Sequence, residues 1–189
     1  EANAFGSAFH QIKLAYTMKL NNEVSTLKSL PIIRGNVLNL RPMRDTDAAR
    51  ILEIYGDPLV MKYTDEKPFA DLTTVSTMLR SVRTLFHEGQ SLEWAIELNG
   101  ADLIIGTCGL HTFDKPSATA EVGCLLHREA WGNGHMTHAL NLLAKFAAEK
   151  VQIRRLLADV APENQRALRL FNRLGYRRIC RGILVKDLS

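Results

Sequence analysis

Trp131-Gly132-Asn133-Gly134-His135-Met136 is the stretch whose reading decides the fold of this chain. Two glycines separated by one residue let the backbone curl tightly and approach a ligand without Cβ interference. An apolar-faced helix follows at once, from Gly134 to about Lys150, and aims its free N–H groups and positive dipole end back at the loop. Such a mouth is an anion cradle, most naturally for phosphate. Upstream, Ala120-Glu121-Val122-Gly123-Cys124-Leu125-Leu126 reads as a strand running into the loop. The loop fits neither common nucleotide fingerprint. No Lys or Ser follows Gly134 as a P-loop requires, and no third glycine arrives as a dinucleotide fold requires.

Working outward, a second strand–helix unit follows. Arg155 to Val160 reads as a strand, Pro162 and Asn164 lead into a helix from Gln165 to Leu174, and Gly175-Tyr176 stops it. In the other direction, Val37 to Arg41 is a strand, and Asp45 is expected to cap a helix through Tyr55 whose apolar face is Ala48, Ile51, Leu52 and Tyr55. Asp57-Pro58 breaks that helix, and Leu59 to Lys67 is expected to be irregular. A longer helix runs from Leu72 to Glu88 and ends at Gly89. Leu92, Trp94, Ile96 and Leu98 alternate with Glu93, Ala95 and Glu97, the pattern of a half-buried strand. Asn99-Gly100 turns the chain back through Leu103 to Thr112. Asp114-Lys115-Pro116 turns it again into Ala118 to Leu126, so three antiparallel strands precede the loop. Tyr176 to Val185 supplies one more strand. A final strand is expected to be missing or supplied by another segment or subunit, which leaves an edge open to dimerisation.

The order Glu121-Val122-Gly123, Trp131-Gly132-Asn133-Gly134, Ala139-Leu140, Asn164-x-x-Ala167 and Leu174-Gly175-Tyr176 resembles the GCN5-related N-acetyltransferase (GNAT) superfamily, and within it the RimJ/RimL branch of ribosomal-protein N-terminal acetyltransferases. Leu38 to Met43 with Asp45-Thr46-Asp47-Ala48 is similar to that branch's opening, and Ile104 to Leu110 to its central strand. The likeness spans about residues 34 to 182. It implies the GNAT acyl-CoA N-acyltransferase fold, an α+β architecture with a mostly antiparallel central sheet flanked by helices. It also implies acetyl-CoA as donor and an amine as acceptor, either a protein N-terminus or a small molecule. On this likeness Gly132 to Met136, with Trp131, hold the diphosphate. Cys124, Leu125 and Leu126 pair with the pantetheine arm, and a backbone N–H near Leu125 polarises the thioester. Asn164 and Ala167 meet the cofactor, although capping the next helix explains Asn164 equally well.

Proton transfer in such a reaction needs a base. Glu121 matches the carboxylate that some superfamily members use. Glu93 and Glu97 are alternatives, and so is His111. Phe171 stands where many members carry a tyrosine that reprotonates the thiolate, and His138 where the branch often carries Glu. These two departures keep a non-catalytic acyl-CoA-binding module as the alternative. His135 and His138 lack a third ligand at metal spacing, so no metal is expected.

Composition bounds the rest. The 189 residues, 46% apolar and 23% charged, suit a single domain, here residues 34–189. Residues 1–33 read as an N-terminal extension, a tag or leader. No apolar run reaches the roughly 18 residues of a membrane helix. Cys108, Cys124 and Cys180 show no paired spacing and suit a reducing cytoplasm. The net charge of +4 comes without an aromatic-interleaved basic stripe, which argues against nucleic acid as partner. Arg154, Arg155, Arg173, Arg177, Arg178 and Arg181 read as a solvated face or as a basic rim for a nucleotide 3′-phosphate. The acceptor loops are placed around Tyr63, Phe69 and His111.

Overall fold

A computed structural model describes residues 27–188. Strands β1 (Ile33–Arg34), β2 (Leu38–Pro42), β3 (Ser91–Leu98), β4 (Ile104–Asp114), β5 (Thr119–Leu126), β6 (Arg155–Asp159), β7 (Arg177–Arg178) and β8 (Ile183–Asp187) form one eight-stranded sheet. Its order is β1-β2-β3-β4-β5-β6-β8-β7, and only the β5–β6 pair is parallel. Helices α1 (Ala48–Tyr55), α2 (Pro58–Met61), α3 (Leu72–His87), α4 (His135–Lys150) and α5 (Gln165–Arg173) flank it. This is the expected α+β arrangement, mostly antiparallel.

The alternation along β3 separates two cores. Leu92, Trp94 and Ile96 point to one face, where α4 supplies Met136, Ala139, Leu140, Leu143 and Phe146. Trp94 is fully buried there and meets Phe146 edge-on at 5.3 Å, while its indole N–H donates to the Pro31 carbonyl at 2.8 Å. On the opposite face Ala95 and Ile104 pack with Ile51 of α1 and with Val75 and Leu79 of α3. A buried ion cluster fastens that face. The Arg41 guanidinium donates two bonds to Asp47, at 2.8 and 2.9 Å, and its Nε lies 2.9 Å from Glu97. Asp47 Oδ2 also accepts the Arg44 N–H at 2.7 Å.

Three expectations are corrected. Asp45 does not cap α1: it starts a 3₁₀ turn (Asp45–Asp47) and pairs with Arg83, while the Asp47 carboxylate makes the buried contacts. Asp57-Pro58 starts a helix as well as ending one. The Asp57 side chain accepts the Leu59 N–H at 2.8 Å with proline at the first helical position, so α2 forms where an irregular stretch was expected. The final strand is present. β8 inserts antiparallel between β6 and the two-residue β7, so this chain supplies the strand itself. Within the expected extension Leu27, Leu30 and Ile33 pack on the main core and β1 pairs with β2; residues 1–26 of it lie outside the described residues.

Candidate active site

β5 is eight residues long, yet β6 pairs in parallel register only with Thr119, Ala120 and Glu121. β6 continues as a partner of β8 through Asp159, so the sheet parts in its middle beside Val122 to Leu126. The His127 N–H donates to the Ile105 carbonyl at 2.7 Å. Strand alternation then turns the main-chain groups of Leu125 and Gly123 toward β4, and those of Val122, Cys124 and Leu126 into the gap. The Leu125 carbonyl accordingly lies against Gly106, where a Cβ would collide with it. At the end of β5 the outward Leu126 carbonyl accepts the Trp131 indole N–H at 2.8 Å.

That bond fixes the loop next to the gap. Gly132 and Gly134 have φ of 82° and 76°, values that favour glycine, and nothing lies within 4 Å of where either Cβ would stand. Gly134 is the N-cap of α4, so no side chain caps the helix, and the first turn carries no acid. The His135 Nδ1 is shielded from solvent and has no hydrogen-bond partner among the described residues. Open space, uncapped N–H groups, an orphaned ring nitrogen and no nearby carboxylate together fit a bound phosphate group. The Arg166 guanidinium of α5 stacks 3.7 Å above the Trp131 ring at the same mouth.

Sequence reasoning missed Arg166, because the contact joins residues far apart in the chain. Asn164 Oδ1 accepts the Ala167 N–H at 3.1 Å and so caps α5. Phe171 is buried and packs edge-on against Tyr176 at 4.9 Å. Of the basic residues, Arg155 and Arg177 are both drawn to Asp187 of β8, at 3.0 and 3.4 Å.

The α1/α3 face of the sheet carries the titratable groups. Ser91, His111 and Glu121 form one cross-strand row, and Glu93, Gly109 and Gly123 the next. His111 Nδ1 lies 3.9 Å from Glu121 and 3.0 Å from the Thr112 hydroxyl. The Tyr55 hydroxyl and Thr107 share a 2.8 Å hydrogen bond just beyond. Burial pushes the Glu93 carboxyl up to about 7, against the lowering effect of a 3.0 Å hydrogen bond from Ser91. Burial, and then the nearby Glu93 charge, push the Cys124 thiol up to about 12. Tyr55 and Glu93 keep partial solvent access on this face, whereas the Cys124 side chain packs against the main core on the other. Beyond Tyr55, whose ring meets Phe69 at 5.0 Å, a shallow groove of about 450 Å³ is lined by Glu66, Phe69, Asp71 and Met78. His111 faces the cleft and Phe69 the groove, whereas Tyr63 stands exposed beyond α2.

An uncapped helix mouth beside an interior sheet edge suits a donor that carries both phosphate and amide groups, as an acyl-CoA does. The comparisons agree: the model of the acetyltransferase (GNAT) domain matches residues 38–177, and the chain belongs to that family. It is an N-acetyltransferase that moves the acetyl group of acetyl-CoA to an amine. An uncharacterized N-acetyltransferase, p20, of Bacillus licheniformis is 33% identical over 141 residues, 75% of this chain and 79% of that protein. The fold is similar to RimL, a ribosomal L7/L12 alpha-N-protein acetyltransferase solved with coenzyme A, at a TM-score of 0.73 and 16% identity, covering 84% of this chain and 98% of that one. It is also similar to Mycobacterium smegmatis RimJ, at a TM-score of 0.69 and 22% identity, covering 82% and 83% of the two chains.

Proposed function

We propose that this chain acetylates the N-terminal amino group of a protein, with coenzyme A lying along the gap between β5 and β6. The observation that carries the reading is that gap: an interior strand edge ending at a glycine mouth with uncapped helix N–H groups. Acetyl-CoA supplies an acyl group already activated as a thioester. Around it the N–H groups of Gly132 to Met136, joined by His135 Nδ1, hold the diphosphate, and Trp131 keeps the loop in place. Main-chain groups of Cys124 and Leu126 face the gap and pair with the pantetheine arm. The N–H that polarises the thioester carbonyl therefore belongs to one of these two, since Leu125 turns its own toward β4. Asn164 acts through the first turn of α5, and Phe171 packs behind the cleft.

The acceptor enters over the groove at Phe69. Glu66 and Asp71 there complement an ammonium group, and the groove is open enough for an extended peptide end. His111 and Glu121 line the inner end of the cleft. Three thiols, with Cys108 and Cys124 directly opposed across two strands, suit a reducing cytoplasm. RimL and RimJ among the structural relatives favour a ribosomal protein as the acceptor's source.

Thiol release from acetyl-CoA, measured with N-terminal peptides of ribosomal proteins beside a panel of small amines, tests the reading. Peptides turned over in preference to amines are expected. Turnover confined to small amines would replace the acceptor, and cofactor binding without any turnover would favour the binding module.

A further inference from the structure

We infer that Glu93 is the group that takes the proton from the attacking amine, through water held over a floor made by Gly109 and Gly123. The inference rests on the acetyltransferase reading above and assigns one residue its part in that reaction. The floor is a packing fact. Glu93, Gly109 and Gly123 stand opposite one another on β3, β4 and β5. The Glu93 carboxylate lies across Gly109 so closely that any Cβ there would collide with all three of its terminal atoms. One strand further, the space above Gly123 is bounded only by His111, whose Nε2 is 3.3 Å from where a Cβ would stand. Two absent side chains thus open a trough from the carboxylate to the strand whose main-chain groups face the thioester.

The carboxylate is crowded by protein atoms yet keeps partial solvent access, the environment of a group at the bottom of a cleft. Ser91 Oγ donates its hydrogen bond, and among the described residues no lysine or arginine pairs with it. The other groups around it are Tyr55 from α1, Cys108 and His111 from β4, and Cys124 and Glu121 from β5; α3 turns Val75 and Leu79 to this face. Its charge reaches both Tyr55 on the same face and Cys124 through the sheet. A buried carboxylate with no counter-cation resists ionisation. Its affinity for protons near pH 7 matches the task of relieving an ammonium of one. In the reaction the N–C bond forms as the C–S bond breaks. The ammonium first gives one proton through water to Glu93 and on to bulk solvent, which frees the lone pair that attacks; the electron pair of the C–S bond leaves with sulfur, and the second nitrogen proton passes by the same route to the departing thiolate. Glu121 has the weaker geometry, because it sits one row away beside His111.

The test is a set of pH–rate profiles on the full chain. The wild type is expected to show an acid limb in kcat/KM near pH 7 that stays in place when acceptors of different amine pKa are compared. Glu93→Gln should lower kcat about 100-fold or more, lose that limb, and keep its acetyl-CoA affinity by calorimetry. Ser91→Ala, which removes the bond that favours the ionised form, should move the limb to higher pH by roughly half a unit or more. Should Glu93→Gln fail to fold, Ser91→Ala still decides. Glu93→Gln within threefold of wild-type kcat, or a limb unmoved in Ser91→Ala and abolished in Glu121→Gln, would overturn the assignment while leaving the acetyltransferase reading intact. A wild type that releases no thiol with any acceptor would overturn both.

Discussion

Gly134→Ala should separate a backbone requirement from a ligand requirement. At φ +76° an alanine is strained, but the structure holds nothing within 4 Å of the new methyl group. The cost to the free protein is therefore conformational alone, about 1–2 kcal/mol, seen as a few degrees in Tm. Gly100, in the β3–β4 turn, provides an internal control, because it has φ +78° and equally empty surroundings. Gly100→Ala should cost the same stability. The two variants should part company only when a phosphate group must occupy the space in front of α4. There the methyl group of Gly134→Ala displaces the diphosphate from at least one N–H. A hydrogen bond to a charged group contributes about 1.5–3 kcal/mol, so acetyl-CoA should bind about tenfold to a hundredfold more weakly. Calorimetric titration of wild type, Gly100→Ala and Gly134→Ala, beside their thermal melts, measures both quantities. Equal losses of stability with acetyl-CoA affinity within about twofold in all three would refute the phosphate role of this mouth.

Removing the Arg41 side chain should be among the most damaging single changes, since Arg41→Ala leaves Asp47 and Glu97 buried without their cation; about 3–5 kcal/mol is expected in urea unfolding. Asp47 burial tends to raise its pKa, but the Arg41 and Arg44 hydrogen bonds outweigh it and hold the group below its ordinary value. Its contribution is then present above the unfolded pKa and lost as pH falls through the lower folded one, so acid melts should weaken this corner last. Glu93 behaves in the opposite sense. Its folded pKa is raised, so stability declines as pH rises from the ordinary carboxylate range to about 7 and is level above that. Glu93→Gln should therefore melt higher than wild type at pH 8, by up to about 3 kcal/mol, and a variant no more stable there would deny the burial. Asp57→Ala removes the cap of α2 and the 2.9 Å pair with Arg128, for about 1 kcal/mol, whereas Asp57→Asn should recover most of it by keeping the cap.

Local signals were legible where one residue type does one job. Gly132 and Gly134, the alternation along β3, and Asn164 before α5 each announced their conformation, because positive φ, a two-residue period and a capping amide are short-range requirements. Legibility failed where a residue serves two purposes or acts at a distance. Pro58 both excludes a continuing helix and begins another, and the sequence shows only the first effect. Asp45 and Asp47 are equally good caps on paper; the buried Arg41 across from one of them decides. β8 was obscured because Arg177-Arg178 and Ile183–Asp187 look like one ragged strand, whereas Gly182 at φ +85° turns the chain into a hairpin. Glu93 was legible only as one alternative base beside Glu97 and His111, since nothing near it announces that α1 and α3 cover that face.

The gap between β5 and β6 shows why a site forms here and not elsewhere on the sheet. A parallel pair forces the chain through α4, which places a helix mouth at the end of β5 by topology alone. Had β6 stayed in register, Ala158 and Asp159 would meet Val122 and Gly123 and close the edge; they keep only their pairing with Leu184 and Ile183 on the far side of β6. β8, paired along the whole far side of β6, anchors the end of β6 that diverges from β5 and so supports the opening. One outward carbonyl, that of Leu126, is already taken by Trp131, which also pins the glycine loop. What remains along Val122 to Cys124 is a short run of strand-like main-chain groups in front of an anion cradle. A ligand that suits it must offer amides to one end and phosphate to the other, and the pantetheine diphosphate of coenzyme A has both in that order. The pairing of β6 with β8 is therefore as much a part of the site as any side chain. Changes that weaken β8, such as Leu184→Ala in its buried face, should lower acetyl-CoA affinity without touching a single contacting residue.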